Sequence, residues 1–293
     1  MTRDDPLRAA TAMLVAVALF ALMDAGLKLL SPHYPPLQLA ALRGASALPL
    51  VLAWSLLTVG ARGLLRVHWP LHLLRGVLGV AMMAGFVYGL RTLPLSTAYA
   101  ITFVSPLLVT AMAVPLLGEK VGPRRWVAIA VGLVGVLVVL RPTGAGMFTL
   151  AGMAVLGAAV CYAAAAITVR LMAQRDGTQA MVFWFMVILA AGAGVLSFRE
   201  WTPIRAQDWW IVAGIGITGT LAQVALTEAF RVGEASLVAP LEYTALLWGV
   251  LLDLTLWRTL PDTVTWIGAA IIIISGLYLL RRERAPAASI AHP

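Results

Sequence analysis

The sequence predicts an all-α polytopic membrane protein: ten transmembrane helices arranged as two inverted five-helix repeats. Three observations predict it. The chain of 293 residues is 61% hydrophobic and only 12% charged, with a mean hydropathy of +0.92. A soluble domain carries roughly 25% charged residues, so too few polar groups exist to cover a water-facing surface. Charge-free runs span 44–61, 92–118, 142–169, 177–198, 209–227 and 263–280. About 20 apolar residues are needed to cross the hydrocarbon core as a helix. The third observation is an internal offset of 140 residues, which sets Arg91 on Arg231, Ser96 on Ser236, Trp126 on Trp266 and Arg141 on Arg281.

The runs are continuous rather than alternating, which selects helices over barrel strands. The spans fall at roughly 10–30, 37–59, 70–90, 95–117, 125–141, 149–171, 178–198, 208–230, 235–256 and 264–281. The first is bounded by the turn residues Ser31-Pro32-His33-Tyr34-Pro35-Pro36, the fourth by Gly118 to Pro123, and the fifth by Pro142-Thr143-Gly144. Trp69, Trp126, Trp201, Trp209, Trp210, Trp257 and Trp266 fall near span ends, where aromatic belts form. Trp54, Trp184 and Trp248 lie deeper. No linker is long enough to separate soluble domains.

With the N-terminus inside, the inner connections hold Arg3, Arg8, Arg62, Arg66, Arg75, Lys120, Arg124, Arg125, Arg170, Arg175, Arg231, Arg281, Arg282 and Arg284, a total of 14. The outer ones hold Arg91, Arg141, Arg199, Arg205 and Arg258, a total of 5. The positive-inside rule therefore places both termini in the cytoplasm. The same rule accounts for the net charge of +8 without nucleic acid. The lone Cys161 excludes an intramolecular disulfide framework. The first apolar stretch contains Asp24 and Lys28 and no small-residue cleavage site, unlike a signal peptide.

A five-helix repeat is odd, so its second copy, 143–293, must enter the membrane upside down relative to the first, 1–142. A shift of 142 sets Phe20 on Tyr162 and Lys28 on Arg170. Carriers with inverted repeats place their substrate near the midplane between the repeats.

Residues 91–106 read Arg-Thr-Leu-Pro-Leu-Ser-Thr-Ala-Tyr-Ala-Ile-Thr-Phe-Val-Ser-Pro. Leu-Leu-Gly-Glu-Lys at 116–120, Trp126, and a helix with Gly132 and Gly135 ending in Arg141-Pro142 follow. This pattern resembles the EamA-type repeat of the drug/metabolite transporter superfamily. The stretch Pro-Leu-Gln-Leu-Ala-Ala-Leu-Arg at 36–43 is similar to the second helix of that family. The second half matches more loosely around Pro240-Leu241-Glu242-Tyr243 and departs at Thr259, where the family has a glutamate. The resemblance implies ten helices, two inverted repeats and export or exchange of small metabolites. Bacterial amino-acid exporters of the superfamily share this size and layout, so amino-acid export is the expectation. The alternatives are drug efflux and carriage of other metabolites of the nucleoside or S-adenosylmethionine type.

Acidic residues inside a span are expensive and mark candidate sites. Asp24 and Lys28 stand four apart on the first helix with Phe20 on the same face. They form either an insertion-assisting salt bridge or the wall of a cavity that meets a zwitterion or carries a proton. Arg43 either pairs with Asp24 or is structural. On the fourth span Ser96, Tyr99, Thr102, Pro106 and Thr110 form one stripe, expected to line a cavity. On the ninth, Glu242 shares a face with Leu246, Gly249 and Asp253 and is flanked by Tyr243 and Trp248. Glu242 lies about 10 Å from the start of its helix, too deep for easy snorkelling. It is the leading functional candidate and, with Asp24, the possible proton carrier. Asp253 is expected to pair with Arg258. On the eighth span Thr220, Gln223 and Thr227 form a stripe, while Glu228 is expected to pair locally with Arg231. Tyr88, Tyr162 and Trp184 line the cavity or pack the core.

His68 and His72 have no Cys or carboxylate near them in sequence, so no metal site is expected. No Gly-x-Ser-x-Gly, His-Glu-x-x-His or phosphate-binding loop occurs, which argues against catalysis and direct ATP drive. The absence of charge rings argues against a channel. The expected partners are a small-molecule substrate and the lipid of a bacterial inner membrane, with no cofactor and no nucleic acid. A single chain supplies both repeats, so it is expected to work as a monomer.

Overall fold

A computed structural model describes residues 5–30, 32–90, 101–119, 121–140, 149–173, 175–256, 258 and 263–283. Among them all regular structure is helical. Seven helices are long and apolar enough to cross a membrane, and Ser105–Leu117 and Trp266–Ser275 are shorter apolar helices. Each of the ten expected spans contains helix among its described residues.

The first three spans are α1 (Pro6–Leu30), α2 (Pro36–Thr58) and α3 (Trp69–Leu90). Pro36 occupies the first turn of α2, where its missing N–H would have no helical partner. Then come α4 (Ser105–Leu117) and α5 (Pro123–Leu140). α4 stops at Gly118, whose φ of +69° suits glycine. The second half holds α6 (Leu150–Met172), α7 (Thr178–Ser197) and α8 (Trp209–Val232). The Thr149 side chain caps α6 by accepting from the Gly152 N–H. The ninth span comprises α9a (Ala235–Val238), a 3₁₀ stretch Ala239–Thr244, and α9b (Ala245–Leu256); α10 is Thr263–Glu283.

The fourth and ninth spans depart from the expectation of continuous helices. Ile101 and Thr102 are helical, Phe103 and Val104 form a turn, and helix resumes at Ser105 with Pro106 in its first turn. In the ninth span Pro240 lies in the first turn of the 3₁₀ stretch. Proline removes a backbone donor and crowds the preceding turn, which accounts for both breaks. Under the 140-residue offset the turn at 103–104 meets 243–244, so the interruptions correspond.

The largest helix contacts are α1 with α8, α3 with α6, α2 with α7, and α5 with α10. Each joins a helix before residue 141 to one after residue 149. Glycines allow the closest approaches. A Cβ on Gly44 would lie 2.9 Å from the Ala190 backbone N, and one on Gly85 would lie 2.7 Å from the Ala154 carbonyl.

The end of the bundle at which α1 begins, here the N-terminal end, is tied together by contacts between the two halves. Asp5 N–H donates to the Val232 carbonyl, joining the start of α1 to the end of α8. A buried apolar cluster there gathers Ala9, Met13, Val109, Ile167, Met172, Met181, Phe230, Val238 and Leu241 from both halves. At the opposite end Tyr34 Oη donates to Asp208 (2.6 Å), and Gln38 exchanges hydrogen bonds with Thr202.

Candidate functional site

A row of polar side chains crosses the bundle interior. Arg43 on α2 is 9% exposed and Arg75 on α3 is 4% exposed. Arg43 Nη2 donates to Gln223 Oε1 at 3.3 Å, and Gln223 Nε2 lies 3.5 Å from Thr227 Oγ1. Arg75 Nη2 donates to the same Thr227 oxygen at 3.1 Å. At 1.5 Å per residue, Arg43 lies about 10 Å from the start of α2 and Arg75 about 9 Å from the start of α3. Those starts are at opposite ends, so the row spans the middle of the bundle.

Beside this row, Tyr162 Oη on α6 donates to Glu242 Oε1 at 2.7 Å. Glu242 stands in the 3₁₀ stretch, not on an α-helix, so it does not follow the α-helical spacing expected with Leu246, Gly249 and Asp253. Tyr162, Glu242 and Thr102 are all half-buried. The 3₁₀ stretch of the ninth span thus presents a carboxyl to a phenol of α6.

Asp24 lies deep in the sequence of α1 and keeps an exposed surface. The expected Asp24–Lys28 bridge is not formed: Lys28 engages elsewhere, and Asp24 makes no hydrogen bond or ion pair among the described residues. Asp24 interacts electrostatically with Arg43 instead, without contact. Arg43 also lies over the Phe20 ring, 5.3 Å from its centre.

Tyr243 and Trp184 are packed against neighbouring side chains. Tyr243 is 2% exposed, lies 6.2 Å from Phe103 between ring centres, and meets Gly132 of α5. Trp184 donates its indole N–H to the Leu64 carbonyl and stacks edge-on against Trp69. Tyr88 and Trp248 carry open faces, 46% and 37% exposed. Thr110 is fully buried, which places it behind the half-exposed Thr102 rather than beside it. Tyr99 and Ser96 lie outside the described residues, as do Thr259 and the side chain of Asp253.

Glu228 pairs with Arg231 as expected (2.7 Å), and also holds Arg8 (2.6 Å) and Thr178 (2.8 Å). These groups, with Trp54, Gly177, Gln179 and Val224, line a cleft of about 380 Å³ at the N-terminal end.

Sequence reasoning missed three features. Arg75 belongs to the interior, not to the inner connections, which leaves 14 − 1 = 13 of the arginines and lysines counted there. It donates to the Met181 carbonyl (3.0 Å) and lies over Phe185, 4.8 Å from its centre. Its proximity to Trp69 in sequence suggested a helix end. Its place one turn deeper and the Gln223–Thr227 stripe needing a donor were the available signals. His72 does meet a carboxylate: Asp176, over 100 positions away in sequence, lies 3.0 Å from its Nε2, with both groups buried. Glu119 accepts from the Ala235 N–H at 2.7 Å and so fixes the start of the interrupted ninth span. Glu234 beside it pairs with Arg125 of α5.

A multi-pass helical bundle with a row of polar groups across its interior and two interrupted spans has the architecture of a membrane carrier. The chain belongs to the EamA-like transporter family, which matches it twice, over residues 7–141 and 149–281. It is 30% identical over 286 residues to a riboflavin transporter of Vibrio cholerae, covering 96% of this chain and 95% of that one. It is 26% identical to a pseudopaline exporter of Pseudomonas aeruginosa (90% and 93% covered). It is 27% identical to an S-adenosylmethionine uptake transporter of Rickettsia prowazekii (73% and 72% covered). A solved crystal structure with 22% sequence identity superposes with a TM-score of 0.80 over 94% of this chain and 98% of its own, which shows a shared fold.

Proposed function

We propose that the protein is a secondary transporter that moves small metabolites, amino acids and their derivatives foremost, out across the bacterial cytoplasmic membrane by alternating access. The observation that carries this reading is the buried row Arg43–Gln223–Thr227–Arg75 beside the Tyr162–Glu242 pair, whose carboxyl stands in the interrupted ninth span. A lipid-facing helix has no use for such groups, and their desolvation is compensated when they meet a polar solute. The relatives named above carry riboflavin, pseudopaline and S-adenosylmethionine. The last of these is an amino-acid derivative, which supports a site that accepts a zwitterion.

In this proposal residues 1–142 and 143–293 are inverted repeats and both termini are cytoplasmic. The N-terminal end is then the inner gate, and the single chain carries the whole path. Opening the gate separates α7 from α8 at Thr178–Glu228 and α3 from α8 at Arg75–Thr227. Asp24, Arg43, Gln223, Tyr162 and Glu242 form the substrate path, with Asp24 or Glu242 carrying the proton if one is coupled. The test is flux into and out of proteoliposomes of the full chain, challenged with labelled neutral amino acids, S-adenosylmethionine and riboflavin. At least one solute should move faster than in protein-free vesicles. If none does, the transport reading falls.

A further inference from the structure

Arg43 and Asp24 stand out among the interior charges because both are unspent. A guanidinium has five N–H donors in a planar fork that matches a carboxylate. Arg43 uses one of them, in a long 3.3 Å hydrogen bond to a neutral amide. Its Nε is fully buried and has no partner. Arg75, the other interior arginine, donates to acceptors on two different helices and lies against an aromatic face. Asp24, one turn along α1 from the Phe20 ring that the Arg43 guanidinium overlies at 5.3 Å, has neither a hydrogen bond nor an ion pair among the described residues. Buried polar groups in a finished structure are almost always satisfied, which sets the bare Arg43 Nε apart. Two opposite charges that are close, not in contact and both short of partners leave a gap with one positive and one negative wall.

We propose that this gap is a zwitterion slot: Arg43 receives the carboxylate of an α-amino-acid-like solute through its fork, and Asp24 receives its ammonium. The charges of such a solute are set in the opposite sense to the slot, so both walls are satisfied at once and the net charge of the interior is unchanged. A carboxylate without an amine leaves Asp24 unmet, and an amine without a carboxylate leaves Arg43 unmet. The Phe20 ring, 5.3 Å from the guanidinium carbon, helps to hold the fork in place. The inference rests on the transport reading and narrows its substrate to solutes that carry both charges.

The test compares matched probes on the purified full chain. Leucine and phenylalanine are each set against leucinol and phenylalaninol, which lack only the carboxylate, and against the corresponding deaminated acids. Binding is read by ligand-induced thermal stabilisation in detergent, and flux is read separately in proteoliposomes. The amino acid should bind the parent protein about tenfold to a hundredfold more tightly than either partial analogue, the range of one charge-assisted contact. Arg43→Gln should abolish the preference over the amino alcohol, Arg43→Lys should retain part of it, and Asp24→Asn should abolish the preference over the deaminated acid. The parent comparison requires no variant, so a misfolded mutant does not spoil the test. Equal binding of amino acid and amino alcohol, a folded Arg43→Gln that keeps the full preference, or binding of no probe overturns the slot. Flux of riboflavin alone leaves the transport reading standing and overturns the slot. Zwitterion binding without any flux does the reverse.

Discussion

Deleting the Tyr162 hydroxyl isolates the role assigned to Glu242. Tyr162→Phe removes one oxygen and keeps the ring, so the packing of α6 is disturbed little while Glu242 loses its 2.7 Å donor. A hydrogen bond between neutral partners contributes about 0.5–1.5 kcal/mol, and one to a charged partner about 1.5–3 kcal/mol. Membrane interiors lie toward the lower end, near 0.6 kcal/mol on average for neutral pairs. If Glu242 takes up and releases a proton during transport, the bond must change between these classes. A double-mutant cycle of Tyr162→Phe and Glu242→Gln, read by unfolding in mixed detergent, should then give a coupling larger by about 1–2 kcal/mol in the alkaline than in the acidic part of the working range. The sign follows from the donor: a phenol O–H binds carboxylate better than carboxylic acid, so the coupling grows as the proton leaves. Transport by Glu242→Gln should lose its pH dependence over the same range. A coupling that is the same at both pH values, together with an unchanged pH profile in the Gln variant, would refute Glu242 as the carrier.

Two other predictions concern architecture. Gly44→Ala should destabilise the protein by about 1–3 kcal/mol, because the new Cβ meets Ala190 backbone that cannot yield. Gly157→Ala, with nothing within 4 Å, should be neutral or stabilising by up to about 1 kcal/mol. Equal thermal shifts for the two would deny the close α2–α7 contact. Reporter fusions after residues 60, 92, 122 and 144 should report inside, outside, inside and outside in turn. Finding 92 and 122 on one side would remove the inverted repeat.

The helix content and the position of each span were legible in the sequence, because lipid imposes a length and an apolarity that each segment must meet by itself. The Glu228–Arg231 pair was legible for a similar reason: its partners are three residues apart on one helix. Glu242 was noticed because a carboxyl in a long apolar run is conspicuous. Its partner was not, since Tyr162 lies 80 residues earlier. Local spacing also misled. Asp24 and Lys28 have the separation of a helical ion pair, yet that pair is not formed and Lys28 has another partner. Arg75 read as one more positive charge near a helix start, until α7 and α8 closed over it. His72 appeared to lack a carboxylate, until Asp176 arrived from the loop before α7. The sequence by itself determined what each helix must be, since solvation in lipid acts on one segment at a time. Only the tertiary structure decided which charges meet and which are left with donors unspent. That outcome depends on pairs 100 to 200 residues apart, such as Arg43 with Gln223, which no local pattern encodes.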